Sequence, residues 1–121
     1  MTFLEIFRDK LLFHGLSWCR GCCAKQSNAR GFVLRADRHT VHLDSNVVTR
    51  AALHRALHEI AHCVLPEKGL RRYECELQAN RWAEATMRAC GIAVPRQTAS
   101  AGRRYERRMK RWGDKIRRAG R

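Results

Sequence analysis

The stretch HEIAH, residues 58–62, contains the residue types of a catalytic zinc site. On a helix, His58 and His62 lie one turn apart on the same face, so their imidazoles can converge on one ion. Glu59 lies beside that face and can reach a water molecule on the ion. In an HExxH motif the histidines are ligands and the glutamate is the general base. The spacing predicts a metal site, and the alternative is an ordinary exposed helix face.

A third protein ligand must be an acid or a cysteine, because no histidine follows His62. Catalytic zinc usually takes three protein groups and leaves one position for water. Glu67 comes directly after Pro66, which ends the motif helix, so we expect it to reach back to the ion poorly. The downstream candidates are Glu67, Glu74, Cys75, Glu76, Glu84 and Cys90.

Glu76 is the favoured third ligand because Asn80 lies four residues later, on the same helical face. A metal-binding histidine usually donates its other ring N–H to an oxygen, and Asn80 Oδ1 could accept that bond from either histidine. Glu74 pairs with Gln78 at the same spacing and stays an alternative. Glu84 is followed at this spacing by an arginine, which accepts no hydrogen bond.

The surrounding pattern predicts a helix, two or three strands, two helices and a basic terminal helix, which is an α+β arrangement. Apolar residues at helical spacing indicate the helices, and short β-branched segments indicate an antiparallel hairpin. Ser45 or Asn46 is the expected N-cap of the motif helix. The predicted helices cover residues 3–13, about 48–65, about 70–90 and about 102–119, and the hairpin strands cover 31–36 and 40–45.

The motif and the segment after it resemble the ImmA/IrrE family of zinc metallopeptidases. In that family HExxH is followed, on the next helix, by E-x-E-A-N-x-F-A, and residues 76–83 of this chain are ELQANRWA. Gln78 stands where a second glutamate is usual, and Trp82 stands where phenylalanine is usual. Neither position is a proposed ligand or base. The resemblance covers about residues 15–90.

The resemblance implies a minimal gluzincin-like zincin, with a small antiparallel sheet packed with the HExxH helix and a second ligand-bearing helix. It implies an endopeptidase in which His58, His62 and Glu76 bind Zn²⁺. Glu59 would take the proton of the attacking water and deliver it to the leaving amine. A side chain could also donate to the developing oxyanion. The candidates for that donor are Tyr73 and His54.

The resemblance also implies a class of target, since family members are frequently encoded on phages and mobile elements and cut repressors or other DNA-binding regulators. The chain is too short to show a separate helix-turn-helix, so a regulator would be a protein substrate in trans. The rival hypothesis is a non-catalytic nucleic-acid-binding or inhibitor protein that keeps the metal for structure only. The intact Glu59 argues against that rival, because a structural site needs no base.

Charge divides the chain unevenly. The net charge is +14 over 121 residues, and residues 96–121 hold 11 of the Lys and Arg residues but only two acids. We therefore predict a metallopeptidase-like domain over 1–95 and a basic amphipathic helix over 96–121. Such a tail commonly contacts nucleic acid, an acidic protein or anionic lipid. It carries no base-reading motif, so contact with DNA would be non-specific.

The cysteines near the N-terminus form the pattern CRGCC, with Cys19, Cys22 and Cys23 resembling half of a zinc ribbon. The N-terminal segment is neither a secretory signal nor a membrane span, because charges interrupt a short apolar pattern. Without an export signal we expect reduced thiols and a cytoplasmic protein. The second, structural metal is the less favoured interpretation of the three cysteines.

Overall fold

The computed structural model describes residues 1–20, 31–34, 37–43 and 46–119. Over these residues the chain forms four helices and three strands, so the predicted α+β class is confirmed. The elements in chain order are α1 (Phe3–Phe13), β1 (Ser17–Arg20), β2 (Gly31–Leu34), β3 (Asp37–Leu43), α2 (Arg50–Val64), α3 (Arg72–Ala89) and α4 (Arg96–Ala119).

The sheet has the order β1-β3-β2 and is mixed. β2 runs antiparallel to β3, with Phe32 opposite His42, as predicted for the hairpin. β1 runs parallel to β3, with Ser17 opposite Thr40. The expectation of a purely antiparallel sheet is therefore wrong. A strand of four residues carries no signal for its direction, which depends on how the chain returns to the sheet.

The core lies between the sheet and the helices, and α2 runs through its centre. Eight of the 15 residues of α2 are buried. Phe7 of α1 is fully buried and meets the Trp18 ring edge-on, with centroids 5.2 Å apart. The largest fully buried side chains are Phe7, Val41, Leu43, Leu53, Leu57, Ile60 and Met87. The helix that carries HEIAH is thus held rigidly from several sides.

Both ends of α2 are fixed by side chains. Thr49 is the N-cap, and its hydroxyl accepts a hydrogen bond from Ala52 N at 3.0 Å. The prediction of Asn46 as the cap is wrong, because the buried Val47 lies between it and the helix start. Ser45 lies outside the described residues. At the other end Arg38 of β3 donates to the carbonyls of His62 and Leu65.

Helix α4 begins at Arg96, six residues earlier than predicted, so the segment TASAG is helical rather than a linker. Small residues in this segment pack inward: Ala99 is buried, and Gly102 lies against Asn80 of α3. Further along α4, Gly113 lies near Tyr73, so the two helices run antiparallel. The division into 1–95 and 96–121 stays a prediction.

An apolar stripe runs along α4, and other side chains cover only part of it. It is formed by Tyr105, Met109, Trp112 and Ile116. Tyr105 and Met109 are half-buried, whereas the side chains of Trp112 and Ile116 are 60% and 51% exposed. The basic residues beside the stripe are mostly exposed. None of the helices in the described part of the chain is long and apolar enough to cross a membrane.

The cap assignment can be tested by substitution. Thr49→Ala should lower the free energy of unfolding by about 1 kcal/mol, because it leaves one N-terminal amide of α2 without an acceptor. Thr49→Ser keeps the hydroxyl and should stay close to wild type in urea denaturation. Asn46→Ala is the matched control, and a loss there as large as that of Thr49→Ala would contradict the assignment.

Candidate metal centre

Helices α2 and α3 bring His58, His62 and Glu76 to one point. The Nε2 atoms of the two histidines are 3.0 Å apart. The Glu76 carboxylate lies 2.9 Å from His58 Nε2 and 3.3 Å from His62 Nε2 through its two oxygens. Within the described ranges, these three residues form the one group of His, Cys, Asp or Glu that could hold a metal ion.

The far side of the His58 ring meets Asn80. His58 Nδ1 lies 2.7 Å from Asn80 Oδ1, which can only accept a hydrogen bond. His58 Nδ1 is therefore the protonated nitrogen, and Nε2 keeps its lone pair. Asn80 was predicted to orient either histidine, and the structure places it on His58.

The far side of the His62 ring meets Glu67. His62 Nδ1 lies 2.5 Å from Glu67 Oε2, and Arg38 Nη2 lies 3.5 Å from the other carboxylate oxygen. The carboxylate accepts the Nδ1 proton, so Nε2 of this ring also faces inward, and in the neutral or metal-bound ring that nitrogen carries the lone pair. Glu67 was expected to reach the ion poorly. In the structure it instead contacts Nδ1 of His62, the ring nitrogen that faces away from Glu76.

When both imidazoles are neutral, the three inward atoms are all acceptors, so a proton or a metal ion is needed between them. Burial alone would lower the pKa of His62, but hydrogen bonds and charge from Glu76 and Glu67 outweigh burial and raise it to about 9. Burial would raise the pKa of Glu76, but His58 and His62 hold it well below the ordinary carboxyl range. A metal ion would supply the same positive charge as a proton between these side chains, and it would compete with the proton for them.

The separations of these atoms fit a zinc ion. Nitrogen and oxygen ligands about 2.0 to 2.1 Å from a tetrahedral zinc lie roughly 3.3 Å from one another. The observed separations among the three ligand atoms run from 2.9 to 3.3 Å. Two imidazoles and one carboxylate are also a donor set that catalytic zinc sites use. The three residues thus fit the ion in both geometry and chemistry.

Glu59 lies beside the centre and is 7% exposed. Burial raises the pKa of its carboxyl group, and the nearby imidazoles of His58 and His62 oppose that rise. The Glu76 and Glu67 carboxylates act in the same direction as burial. The chain therefore holds a carboxyl group of increased proton affinity next to the proposed ligands.

The two candidate oxyanion donors lie in different surroundings. Tyr73 lines a groove of about 270 Å³ between α3 and α4, together with Met109, Trp112 and Ile116. His54 is 7% exposed, and its Nε2 has no hydrogen-bond partner among the described residues. Burial, helped by the charges of His58 and Arg55, lowers the pKa of His54 to about 4. The donor role of each stays a prediction.

The alternative third ligands are engaged elsewhere. Glu74 Oε1 accepts from Arg71 N at 3.2 Å at the start of α3, and Glu84 pairs with Arg88 at 3.6 Å. Gln78, the partner proposed for Glu74, donates to the Pro66 carbonyl at 2.9 Å. Spacing left Glu74 open as a ligand, and the helix cap explains why it faces away.

The cysteines do not join the centre in the described part of the chain. Cys19, Cys63, Cys75 and Cys90 form no disulfide among the described residues. Burial and the neighbouring Glu67 carboxylate raise the pKa of Cys75, which disfavours the thiolate that a metal would need. Cys22 and Cys23 lie outside the described residues, so the half-ribbon prediction stays open.

Sequence reasoning missed two contributors to this arrangement. Arg38 contacts Glu67 and the end of α2, and Glu106 of α4 accepts a hydrogen bond from Asn80 Nδ2 at 3.1 Å. Each contact joins residues more than 20 positions apart, which no local spacing indicates.

Comparison with protein-family models, with curated proteins and with solved structures finds no significant match to this chain. The centre is therefore interpreted from its own geometry.

Removal of the third ligand should abolish tight metal binding. Glu76→Ala is expected to weaken zinc affinity by more than the factor of about 10 to 100 that loss of an outer partner costs. Glu74→Ala is the matched control, since it removes a nearby acid of the same helix that faces away. Zinc content after dialysis against a weak chelator measures both. Equal retention of zinc in wild type and Glu76→Ala would contradict the assignment.

His54 should make the protein less stable in acid. Its pKa in the folded chain is about 4 against 6.5 when exposed, so between these values the unfolded chain binds the extra proton. Stability should therefore fall by up to about 3 kcal/mol as pH drops from 6.5 to 4. His54→Leu should flatten this part of the curve in urea denaturation at several pH values. A steep decline that persists in His54→Leu would refute the explanation.

Proposed function

We propose that this chain is a zinc-dependent metalloendopeptidase that hydrolyses a peptide bond in a protein substrate. The observation that supports it most is the convergence of His58 Nε2, His62 Nε2 and a Glu76 carboxylate within 3.3 Å, with Glu59 buried beside them. A purely structural site would need no such base. Placement of the proposed ligands on the HExxH helix and on a second helix supports a gluzincin-like zincin.

Zinc bound there would supply Lewis acidity, lowering the pKa of a water molecule and polarising the substrate carbonyl. Asn80 and Glu67 hold the two imidazoles with their lone pairs inward. Glu59 takes the proton of the attacking water and transfers it to the leaving amine, so one carboxylate serves as base and then acid. The ImmA/IrrE resemblance of HEIAH and ELQANRWA supports the same assignment, as does the match of Asn80 to the family's asparagine.

The substrate class follows from the same resemblance. We propose a protein substrate of the kind that the family cuts, a DNA-binding regulator or repressor acting in trans. The basic face of α4 would bring the enzyme to such a complex through non-specific contact with DNA phosphates.

A second candidate is a non-catalytic nucleic-acid-binding or inhibitor protein. The exposed Arg and Lys residues of α4 favour it, since a helix with this charge attracts phosphates without reading bases. This candidate assigns no proton transfer to Glu59, so substitution of that residue separates the two.

Glu59→Gln should retain zinc but lower hydrolysis by a factor of about 100 to 10,000, because the amide cannot accept the proton of water. Zinc content and cleavage of fluorescein-labelled casein measure the two properties on the same preparation. Glu84→Gln, a change of the same kind on the neighbouring helix, should cleave at the wild-type rate. If Glu59→Gln kept both the zinc and the wild-type cleavage rate, the enzyme assignment would fail and the binding protein would be favoured.

A further inference from the structure

Helix α4 contacts Asn80, and the side-chain amide of Asn80 in turn contacts the proposed ligand His58. One end of that amide faces His58 Nδ1 at 2.7 Å, and the other donates to Glu106 Oε1 at 3.1 Å. Glu106 lies outside the segment that carries the family resemblance. We propose that Glu106 is a positioning residue of the metal centre, which sets the orientation of the Asn80 amide and thereby makes His58 Nε2 the metal-binding atom.

The two ends of an asparagine side chain differ in hydrogen bonding. The amide offers an oxygen that accepts and an NH₂ group that donates, and a rotation of its terminal bond exchanges them. An ionised carboxylate only accepts, so Glu106 favours the orientation in which Nδ2 faces α4. The oxygen must then face His58, and it accepts the Nδ1 proton.

The orientation of the amide decides the tautomer of His58. A neutral imidazole carries its proton on one nitrogen and a lone pair on the other. With the Asn80 oxygen toward Nδ1, the proton is on Nδ1 and the lone pair of Nε2 points at Glu76 and His62. If the amide were reversed, its NH₂ group would face Nδ1, the proton would move to Nε2, and that nitrogen would have to release the proton before it could bind a metal.

A second residue of α4 shows that the contact is close. A Cβ atom on Gly102 would lie 3.1 Å from Asn80 Nδ2 and 3.7 Å from Asn80 Cγ. A glycine inside a helix costs stability relative to alanine, and here it gives the amide room against α4. Gly102 and Glu106 are four residues apart and so lie on the same face of α4.

Glu106 is also unusual for its helix. It is half-buried in a segment whose remaining charged residues are mainly exposed Arg and Lys. An arginine or lysine at this position would present donors to Asn80 and favour the reversed amide. Glu106 therefore supplies an acceptor to Asn80 on a helix where most charged residues offer only donors.

The test uses the full chain and zinc alone as the probe. Glu106→Lys places a donor beside Asn80 and should weaken zinc affinity by a factor of about 10 to 100, as measured by competition with a chelating dye. Asp114→Lys makes the same change of charge on the same helix and should change affinity by less than about threefold, because surface charge is screened. Equal losses in the two variants would overturn the proposal, since they would reflect charge alone.

A spectroscopic readout separates positioning from a general structural role. Long-range ¹H–¹⁵N correlation spectra, recorded without metal at a pH where the ring is neutral, report which nitrogen of His58 is protonated. We expect Nδ1–H in wild type and in Asp114→Lys, and Nε2–H in Glu106→Lys. Nδ1–H in Glu106→Lys together with wild-type affinity would overturn the proposal.

Glu106→Gln covers the case in which the lysine variant does not fold. Glutamine has nearly the same shape but can both donate and accept, so it no longer enforces one amide orientation. Zinc affinity should fall between wild type and Glu106→Lys, and a population of the Nε2–H tautomer should appear. A pure Nδ1–H spectrum with unchanged affinity would overturn the proposal. These readouts require no peptidase activity, so they stand apart from the test of hydrolysis.

Discussion

The structure depends on one constraint: three groups that can each accept a hydrogen bond, from His58, His62 and Glu76, are held close together. Two imidazole nitrogens and a carboxylate lie about 3 Å apart, and the ring protons that could separate them are bound on the far sides by Asn80 and Glu67. Such a cluster is unfavourable unless a positive charge joins it. The three side chains stay together because the helices that carry them are held rigidly. The buried contacts of α2 with the sheet, α1 and α3 provide that rigidity.

Residues distant in sequence hold the side chains of this cluster in place. Arg38 of β3 connects the sheet to Glu67 and to the end of α2, so the strand both completes the core and orients one ligand. Glu106 of α4 does the same for the other ligand through Asn80. The terminal helix, whose composition first predicts a separate phosphate-binding segment, thereby contacts a residue of the candidate metal centre.

Local geometry explains which parts could be predicted. HEIAH and the Glu76–Asn80 pair each lie within one helical turn, so spacing alone placed the ligands on their faces and the oxygen beside a histidine. The direction of β1, the start of α4, the Arg38–Glu67 contact and the Glu106–Asn80 contact depend on how distant segments meet. Spacing was also compatible with two roles for Glu74, a helix cap or a metal ligand. In the structure Glu74 caps α3.

Zinc K-edge X-ray absorption of the zinc-loaded protein would test the central claim most directly, because the ion itself then reports its neighbours. We expect nitrogen and oxygen ligands only, at about 2.0 to 2.2 Å, with the scattering pattern of two imidazoles. A shell of sulfur near 2.3 Å would instead place the zinc on cysteines. That result would contradict the assignment of His58, His62 and Glu76 as the metal centre.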